Sequence, residues 1–489
     1  MKSIAMHEPD IQLDTEDQPL ASIREICEAL WQIEKQEDLY NWTVMGVRLW
    51  PLIRFRVFYN LTKSSGIYTW KTFTDIVLDP SWPTYSGTKG HEALFRGMTG
   101  WRWHLRGLIP KAWQDSRLAQ WRAATDMVAP FSTRDARGID RFSQPVIDVL
   151  GDSLLRWGVG SWDTNREWPH LDQLQNFFRD RWGKLFSVAI RFSVSKSDYA
   201  KYARVINFLE TQTRTSAGPY KNFPRWILRN HLADLHGYRK IFKRLKTKRL
   251  FIVNASRMNL NAAAQSLGIK VIELQCGVFS PYNVQFSWPG RPNIPYLPDE
   301  ILTWGEYWTT GIDNSGLQKI FVSGATAEFE EVRQRQTSHK PQTIAVMSQP
   351  LIGAELYAAS LKLALMRPDY KVVFKMHPKD NIDEFIGDQP VNFSIAPESS
   401  RSLDLLAESE ICVGVFSTTL IEAAGLGSKV AMLKLSGWEH LQPLLDTGYA
   451  AGFDTIDELS AGLESLPEAG NPYFFFGKRV DLNELLQGE

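Results

Sequence analysis

The 489-residue chain has little of what marks metal-bound, disulfide-stabilised or membrane-spanning proteins. Its three cysteines, Cys27, Cys276 and Cys412, lie far apart, which excludes a metal-type spacing and a disulfide framework. No run of about 18 apolar residues occurs, so no transmembrane helix is expected. The formal net charge is zero, and nothing favours nucleic acid as a partner. The acidic stretch 1–17 is unlike a signal peptide, so we expect a cytoplasmic protein.

Length and composition predict several globular domains. The chain is 44% hydrophobic and carries 18 Trp, most of them before residue 310. At about 150 residues per domain, two or three domains are expected. Residues 1–20 are predicted to be disordered, and residues 21–334 to form an N-terminal domain with helical insertions and a Trp-rich helical extension. A polar stretch at 330–341 is expected to mark the boundary to a C-terminal domain over 335–470. We expect the tail, 471–489, to cross back onto the first domain.

The order of apolar and helical segments predicts an α/β fold. A first strand is indicated near 127–130, residues 145–245 indicate helices, and strands at 250–253 and 271–274 flank a helix at 262–267. Beyond them, strands alternate with helices, which is typical of doubly wound, Rossmann-like sheets. The strands are expected at 344–347, 372–376, 393–395, 411–416 and 430–433. The helices are expected at 354–366, 403–408, 419–425, 439–445 and 456–466.

Polar side chains collect where these strands end, and ligands of open α/β sheets bind at that edge. Ser348 and Gln349 follow the first strand of the C-terminal domain, and His377 and Lys379 close the second. Ser417-Thr418-Thr419 follows the fourth and opens a helix, whose free N–H groups and hydroxyls favour a phosphate. Glu422, in the same helix, is placed to accept from ribose hydroxyls. The alternative is structural: Ser417 or Thr418 as an N-cap, His377 at a strand end and Glu422 on the surface.

Two motifs in this domain resemble those of a known family. Met376-His377-Pro378 resembles the HP motif of capsule and lipopolysaccharide glycosyltransferases, which include bacterial polysialyltransferases and Kdo transferases. The run from Phe416 to Ala423 resembles their serine motif, and CDP-glycerol glycerophosphotransferases share a similar pair. The resemblance implies a GT-B fold, in which two Rossmann-like domains face each other across a cleft. It also implies a cytidine-activated donor on the C-terminal domain, with no metal and no bound cofactor.

The N-terminal half resembles a segment of uncharacterised relatives. Residues 273–282, which begin Glu273-Leu274-Gln275-Cys276-Gly277, are followed by a Trp-Gly-Glu-Tyr-Trp run at 304–308. The relatives carry His where this chain has Cys276, which bears on any acid–base role of that position. Asp135 and Glu273 are alternative candidates for the acceptor base or a nucleophile. The structural alternatives are an ordinary loop charge and a strand-end residue.

These features together predict a glycosyltransferase that moves a sugar from a nucleotide-activated donor, preferably of CMP or CDP type. The acceptor is expected to be a surface polysaccharide or a lipid-linked glycan. The alternatives are a polyol-phosphate transferase of the CDP-glycerol type and a catalytically inactive relative that binds glycans or partner enzymes. Residues 95–113, rich in Trp and Arg, indicate either peripheral attachment to the inner face of a membrane or a partly buried segment with snorkelling Arg side chains. The basic stretch 225–249 indicates either a solvated helix face or a surface for an anionic glycan or lipid.

Overall fold

The computed structural model describes residues 21–67, 126–129, 142–151, 154–156, 171–218, 222–253, 257–290, 294–310, 319–336, 342–349, 352–377, 380 and 389–482. The predicted disordered lead, the segment 95–113, Asp135 and Lys379 lie outside these ranges. Within the described part of the chain, no helix is long and apolar enough to cross a membrane.

The described chain begins with two helices joined by a small hairpin. Helix α1 (Ile23–Gln36) opens with a capping box, in which the Ser22 side chain accepts from the Glu25 N–H and the Glu25 side chain accepts from the Ser22 N–H. Strands β1 (Thr43–Val44) and β2 (Val47–Arg48) lead into helix α2 (Leu49–Ser64). Glu34 of α1 and Arg54 of α2 form an ion pair that is almost completely buried.

The first sheet is parallel throughout and has six strands in the order β4-β3-β5-β6-β7-β8. Its strands are β3 (Asp126–Ala129), β4 (Leu154–Arg156), β5 (Arg249–Ile252), β6 (Lys270–Leu274), β7 (Glu300–Thr303) and β8 (Lys319–Val322). The helices around it are α3 (Gln144–Leu150), α4 (Leu171–Ala189), α5 (Lys196–Thr213), α6 (Phe223–Leu245), α7 (Met258–Gln265), α8 (Tyr307–Thr310) and α9 (Ala327–Arg335).

The second sheet is also parallel and has the order β11-β10-β9-β12-β13-β14. Counted along the chain, this is the 3-2-1-4-5-6 order of doubly wound dinucleotide folds. The strands are β9 (Thr343–Met347), β10 (Lys371–Lys375), β11 (Phe393–Ile395), β12 (Ile411–Gly414), β13 (Lys429–Leu433) and β14 (Ala450–Phe453). The helices are α10 (Gly353–Met366), α11 (Ser402–Glu408), α12 (Thr418–Gly425), α13 (Gln442–Asp446), α14 (Ile456–Gly462) and α15 (Pro472–Phe475).

The chain after the second sheet lies against the first sheet. The indole of Trp308 donates to the Phe475 carbonyl over 2.8 Å, and the Gly477 N–H donates to the Trp304 carbonyl over 2.8 Å. Gly305 is required here, because a Cβ on it would lie 2.3 Å from the Phe475 carbonyl oxygen. The tail therefore ties the two α/β units together through backbone hydrogen bonds.

The predicted α/β fold with two Rossmann-like domains is confirmed. The strand expected at 411–416 ends earlier, at Gly414. Strands β4, β7, β8 and β14 were not predicted, although β7 is buried at every position. Helix α9 occupies part of the polar stretch expected at 330–341, because Thr326 caps it and Phe329 and Val332 are buried.

Candidate functional site

The order of the second sheet indicates where a ligand of this domain would bind. From β9 the chain proceeds to β10 and β11 on one side, and then returns to β12 on the other side. Ligands of doubly wound sheets bind at such a switch point, outside the carboxyl ends of the strands. Ser348 and Gln349 follow β9, and Phe416 and Ser417 follow β12. We call the space between these two loops the switch-point crevice.

The strand register brings the three strand ends to one level. Met347 of β9 pairs with Lys375 of β10, and Val346 of β9 pairs with Val413 of β12. Ser348, His377 and Ser417 follow this level within a few residues. Strands β10 and β12 are separated by one strand, which places them about 10 Å apart. A group the size of a pyrophosphate spans that gap when each protein donor adds a hydrogen bond of about 3 Å.

Ser417 is the N-cap of α12, and its side chain accepts from the Thr419 N–H over 3.3 Å. The structural alternative for Ser417 is therefore observed, and it leaves the helix dipole and the remaining N–H groups of the first turn directed at the crevice. Thr418 and Thr419 are half-buried. The Thr419 hydroxyl oxygen is enclosed, and no hydrogen-bond partner for it occurs among the described residues.

Gln349 and Ser348 behave differently, although they are adjacent. Gln349 is buried, and its side-chain oxygen accepts from the Phe416 N–H over 3.0 Å. It thereby ties together the two loops that flank the crevice. The Ser348 N–H donates to the Lys375 carbonyl over 3.0 Å. Its hydroxyl is buried without a hydrogen-bond partner in the described part of the chain, so Ser348 is the member of the pair with a group left to offer a ligand.

His377 is held by a carboxylate that sequence reasoning missed. The His377 N–H donates to the Asp380 carboxylate over 2.8 Å, and the Asp380 N–H donates back to the His377 carbonyl over 2.9 Å. In a capping box, a side chain accepts a hydrogen bond from the N–H of the residue three positions earlier. His377 and Asp380 have this spacing, and it is the sequence signal that could have identified Asp380. The other Asp380 oxygen lies 3.1 Å from the point a Cβ on Gly353 would occupy, at the start of α10.

Lys375 is less available than its charge suggests. Its ammonium group donates to the carbonyls of Pro397 and Glu398, over 3.1 and 3.3 Å. Burial lowers the pKa of Lys375, and the Glu398 carboxylate opposes that shift. Lys375 therefore links the end of β10 to the segment after β11. Its positive charge acts on the site through space, because its hydrogen bonds go to these two carbonyls.

The loop after β13 adds two side chains that were not predicted. Ser436 has a buried hydroxyl without a hydrogen-bond partner among the described residues. The His440 ring lies 6.1 Å from the Phe416 ring, centroid to centroid, and burial lowers the pKa of His440 to about 4. Gly437 has φ +91°, and a Cβ there would lie 2.8 Å from the Phe416 ring, so this loop packs closely on the loop after β12.

Glu422 lies in the second turn of α12 and is only 6% exposed. This burial excludes the alternative of an ordinary surface glutamate. Its proposed contact with a ribose stays a prediction.

Two of the three catalytic candidates of the first domain, Glu273 and Cys276, lie at the end of β6. Glu273 is inside the strand and 1% exposed, whereas Cys276, beyond the strand, is half-buried. The side chain of Gln275 accepts from the Trp304 N–H over 2.8 Å and donates to the Gly277 carbonyl over 3.1 Å. Gln275 therefore holds the Cys276 turn at the carboxyl edge of the first sheet.

Helix α1 contacts loops beyond the carboxyl edges of both sheets. The Arg24 guanidinium donates to the Gln442 side chain and lies 5.8 Å from the Tyr282 ring centroid. The Cys27 thiol donates to the Tyr282 carbonyl over 3.7 Å. Tyr282 follows β6 and Gln442 follows β13, so the two edges converge on one helix. This is the GT-B-like arrangement of two domains facing across a cleft.

Over the described ranges, no group of three or more His, Cys, Asp or Glu side chains is arranged to hold a metal.

No protein-family model and no curated protein sequence matches this chain. Similar solved structures include a glycotransferase of kitacinnamycin, with 13% identity, 72% coverage of this chain, 91% of that chain and a TM-score of 0.42. The UDP-GlcNAc 2-epimerase of Neisseria meningitidis is 13% identical, and the match covers 74% of this chain and 100% of that chain with a TM-score of 0.41. A spinosyn rhamnosyltransferase is 13% identical, and the match covers 70% of this chain and 90% of that chain with a TM-score of 0.40. Likeness at this level defines no activity, so the function must be inferred from the residues at the sheet edges.

Proposed function

We propose that this chain is a glycosyltransferase that moves a sugar from a nucleotide-activated donor, preferably CMP- or CDP-linked, to a surface-polysaccharide or lipid-linked acceptor. The observation that carries the proposal is the switch-point crevice of the second sheet. Ser348, His377 and Ser417 follow, within a few residues, three adjacent parallel strands whose ends lie at one level. The N-terminus of α12 opens into the same edge.

The chemistry of this edge suits the phosphate of a leaving nucleotide. As the glycosidic bond breaks, negative charge develops on the phosphate oxygens. The N–H groups of the first turn of α12, the Ser417 hydroxyl and the His377 imidazole are donors that stabilise this charge. Lys379, two residues after His377, supplies a positive charge in the same motif. With these donors a metal is not required, and we expect activity to persist in EDTA.

The acceptor side of the reaction falls to the first domain. A general base must reach the acceptor hydroxyl to take its proton. Glu273 needs to be opened to the cleft before it can do so, because it is 1% exposed. Asp135 is the other carboxylate candidate. Cys276, which is half-buried just beyond the end of β6, is the third candidate.

The experiment is a thermal-shift screen of the full chain with CMP, CDP, UDP and GDP. A ligand that binds only the folded state at 100 times its Kd adds about 2.7 kcal/mol of stability. We expect a cytidine nucleotide to give the largest shift, and His377→Ala to reduce it. His236→Ala, which alters a half-buried histidine on α6, is the matched control and should leave the shift unchanged. Equal responses to all four nucleotides, or none, would contradict the proposal.

The resemblance of residues 273–282 favours a second candidate, an inactive relative that binds glycans or partner enzymes. It implies His at the position of Cys276, and a thiol is a poor substitute for an imidazole in proton transfer. A protein that shows the nucleotide shift without any turnover would support this candidate. A polyol-phosphate transferase is distinguished by its products, because it transfers the phosphate together with the polyol.

A further inference from the structure

Helix α4 and the turn after it expose a row of large apolar side chains. Leu185 is 59%, Val188 74% and Phe192 86% exposed. Leu185 and Val188 are three residues apart and lie on one side of the helix, and Phe192 follows in the turn after it. The turn that presents Phe192 is anchored from below, because Ile190 and Val194 are buried in the core that includes α1 and α2. These three side chains, which we call the α4 patch, are thus fixed outward by a rigid support.

Positive charge surrounds the α4 patch. The stretch 181–197 contains Arg181, Lys184, Arg191 and Lys196 and no acid. The neighbouring helix α6 adds Arg225, whose guanidinium donates to the Ser187 carbonyl over 3.2 Å.

Acids do little to offset that charge. Asp234, the single acid within α6, is buried and paired with Arg179 over 2.8 Å. Asp180 and Asp198 flank the basic stretch on its two sides; Asp180 is exposed, and the Asp198 carboxylate accepts hydrogen bonds from the Trp42 indole and the Ser195 N–H. Apolar side chains ringed by cations are the pattern of a surface that sits in the interface of an anionic membrane.

We propose that the α4 patch docks the protein on an anionic lipid bilayer, with Leu185, Val188 and Phe192 entering the headgroup region and the cations contacting lipid phosphates. Docking would bring the switch-point crevice close to a lipid-linked acceptor. Only this link to an acceptor rests on the proposed function; the docking itself does not.

A second copy of the chain fits the patch less well than a bilayer does. A two-fold contact would bring the same cations face to face, and three side chains expose a few hundred Å² at most. A stable dimer buries roughly 1,200–2,000 Å². An interfacial helix needs no such area, because it gains from apolar insertion and from each basic residue near the surface.

The test is co-sedimentation of the full chain, without nucleotide, with vesicles of phosphatidylcholine alone or mixed with phosphatidylglycerol. We expect binding to the mixed vesicles only, weakened by high salt. Lys184→Gln/Arg191→Gln should lower the partition coefficient about 25-fold, since each cation contributes about 1 kcal/mol, or about fivefold. Phe192→Ser should lower it roughly tenfold. Leu365→Ser on α10, which removes an apolar side chain 70% exposed elsewhere, and Lys371→Gln are the matched controls and should bind as the wild type does.

Three results would overturn the proposal. The first is no binding to either vesicle. The second is variants that bind like the wild type, which would assign the membrane contact to another part of the chain, such as 95–113. The third is a dimer that Phe192→Ser dissociates, without vesicle binding, which would make the patch an interface between copies. The vesicle assay contains no nucleotide, so it tests docking independently of nucleotide binding. A variant that no longer binds vesicles but keeps its thermal shift with nucleotide would leave the proposed function unaffected.

Discussion

Replacing Ser417 with Asp separates helix capping from phosphate binding. In the structure the Ser417 side chain caps α12 by accepting from the Thr419 N–H over 3.3 Å. Asp caps helices as well as Ser does, so Ser417→Asp should fold with nearly wild-type stability. Its carboxylate, however, would stand where the proposed donor phosphate accepts hydrogen bonds.

The two effects differ in size. Losing the cap in Ser417→Ala costs about 1 kcal/mol of stability and leaves a phosphate short of one donor. A hydrogen bond to a charged group contributes about 1.5–3 kcal/mol, so nucleotide affinity should fall roughly tenfold to a hundredfold. In Ser417→Asp, two like charges about 4 Å apart repel by about 4 kcal/mol at an effective dielectric constant of 20. That energy corresponds to roughly a thousandfold loss of affinity.

Thermal unfolding with and without the nucleotide measures both effects on each variant. We expect Ser417→Ala to unfold at a lower temperature and to keep a reduced nucleotide shift. Ser417→Asp should unfold near the wild-type temperature and show no shift. Ser195→Ala, which removes the N-cap of α5 that accepts from the Asp198 N–H over 3.2 Å, is the control for capping alone. A full nucleotide shift in Ser417→Asp would refute phosphate binding at this helix.

Further expectations concern the buried charges and the acceptor side. Glu34→Gln should lower the free energy of unfolding by about 3–5 kcal/mol, measured by urea denaturation, because it leaves a buried guanidinium uncompensated. His440 has a folded pKa of about 4 against 6.5 in the unfolded chain, so unfolding takes up a proton between these values. Stability should therefore fall as pH drops from about 6.5 towards 4, and His440→Gln should flatten this fall in denaturation curves. In a glycosyl-transfer assay Cys276→Ala should keep most turnover, whereas losing the true carboxylate base, by Asp135→Asn or Glu273→Gln, should cost roughly 100-fold. A dead Cys276→Ala with unchanged nucleotide affinity would make the thiol itself catalytic.

The second sheet was predictable because its signals are local. Strands β9, β12 and β13 are almost entirely buried and read as short apolar runs, each followed by a helical period. Strand β14 escaped prediction because its sequence, Ala-Ala-Gly-Phe, carries little apolar weight, and it is buried mainly at Ala450. Edge strands of this kind gain their place from pairing with β13, which a linear pattern does not show.

The first domain was less predictable for the same physical reason. Strand β4 has three residues and pairs with β3, and β3 pairs in turn with β5, more than 100 residues further along the chain. Strand β7 is fully buried but begins with Glu300, whose charge is paired with Lys270 on the adjacent strand. A buried acid at the start of a strand shortens the apolar run in the sequence, and only the partner across the sheet explains its burial.

The candidate site shows where local signals end. Ser348 and Thr419 were found because they follow strands, whereas Ser436 was missed although its hydroxyl is equally enclosed. All three lie at one edge because the order of the strands brings β9, β12 and β13 side by side. An enclosed hydroxyl without a partner costs about 1–3 kcal/mol. None of these three has a partner among the described residues, which agrees with the proposed ligand site. Sequence identified two of the three hydroxyls, each on its own, and only the order of the strands brings all three to one edge.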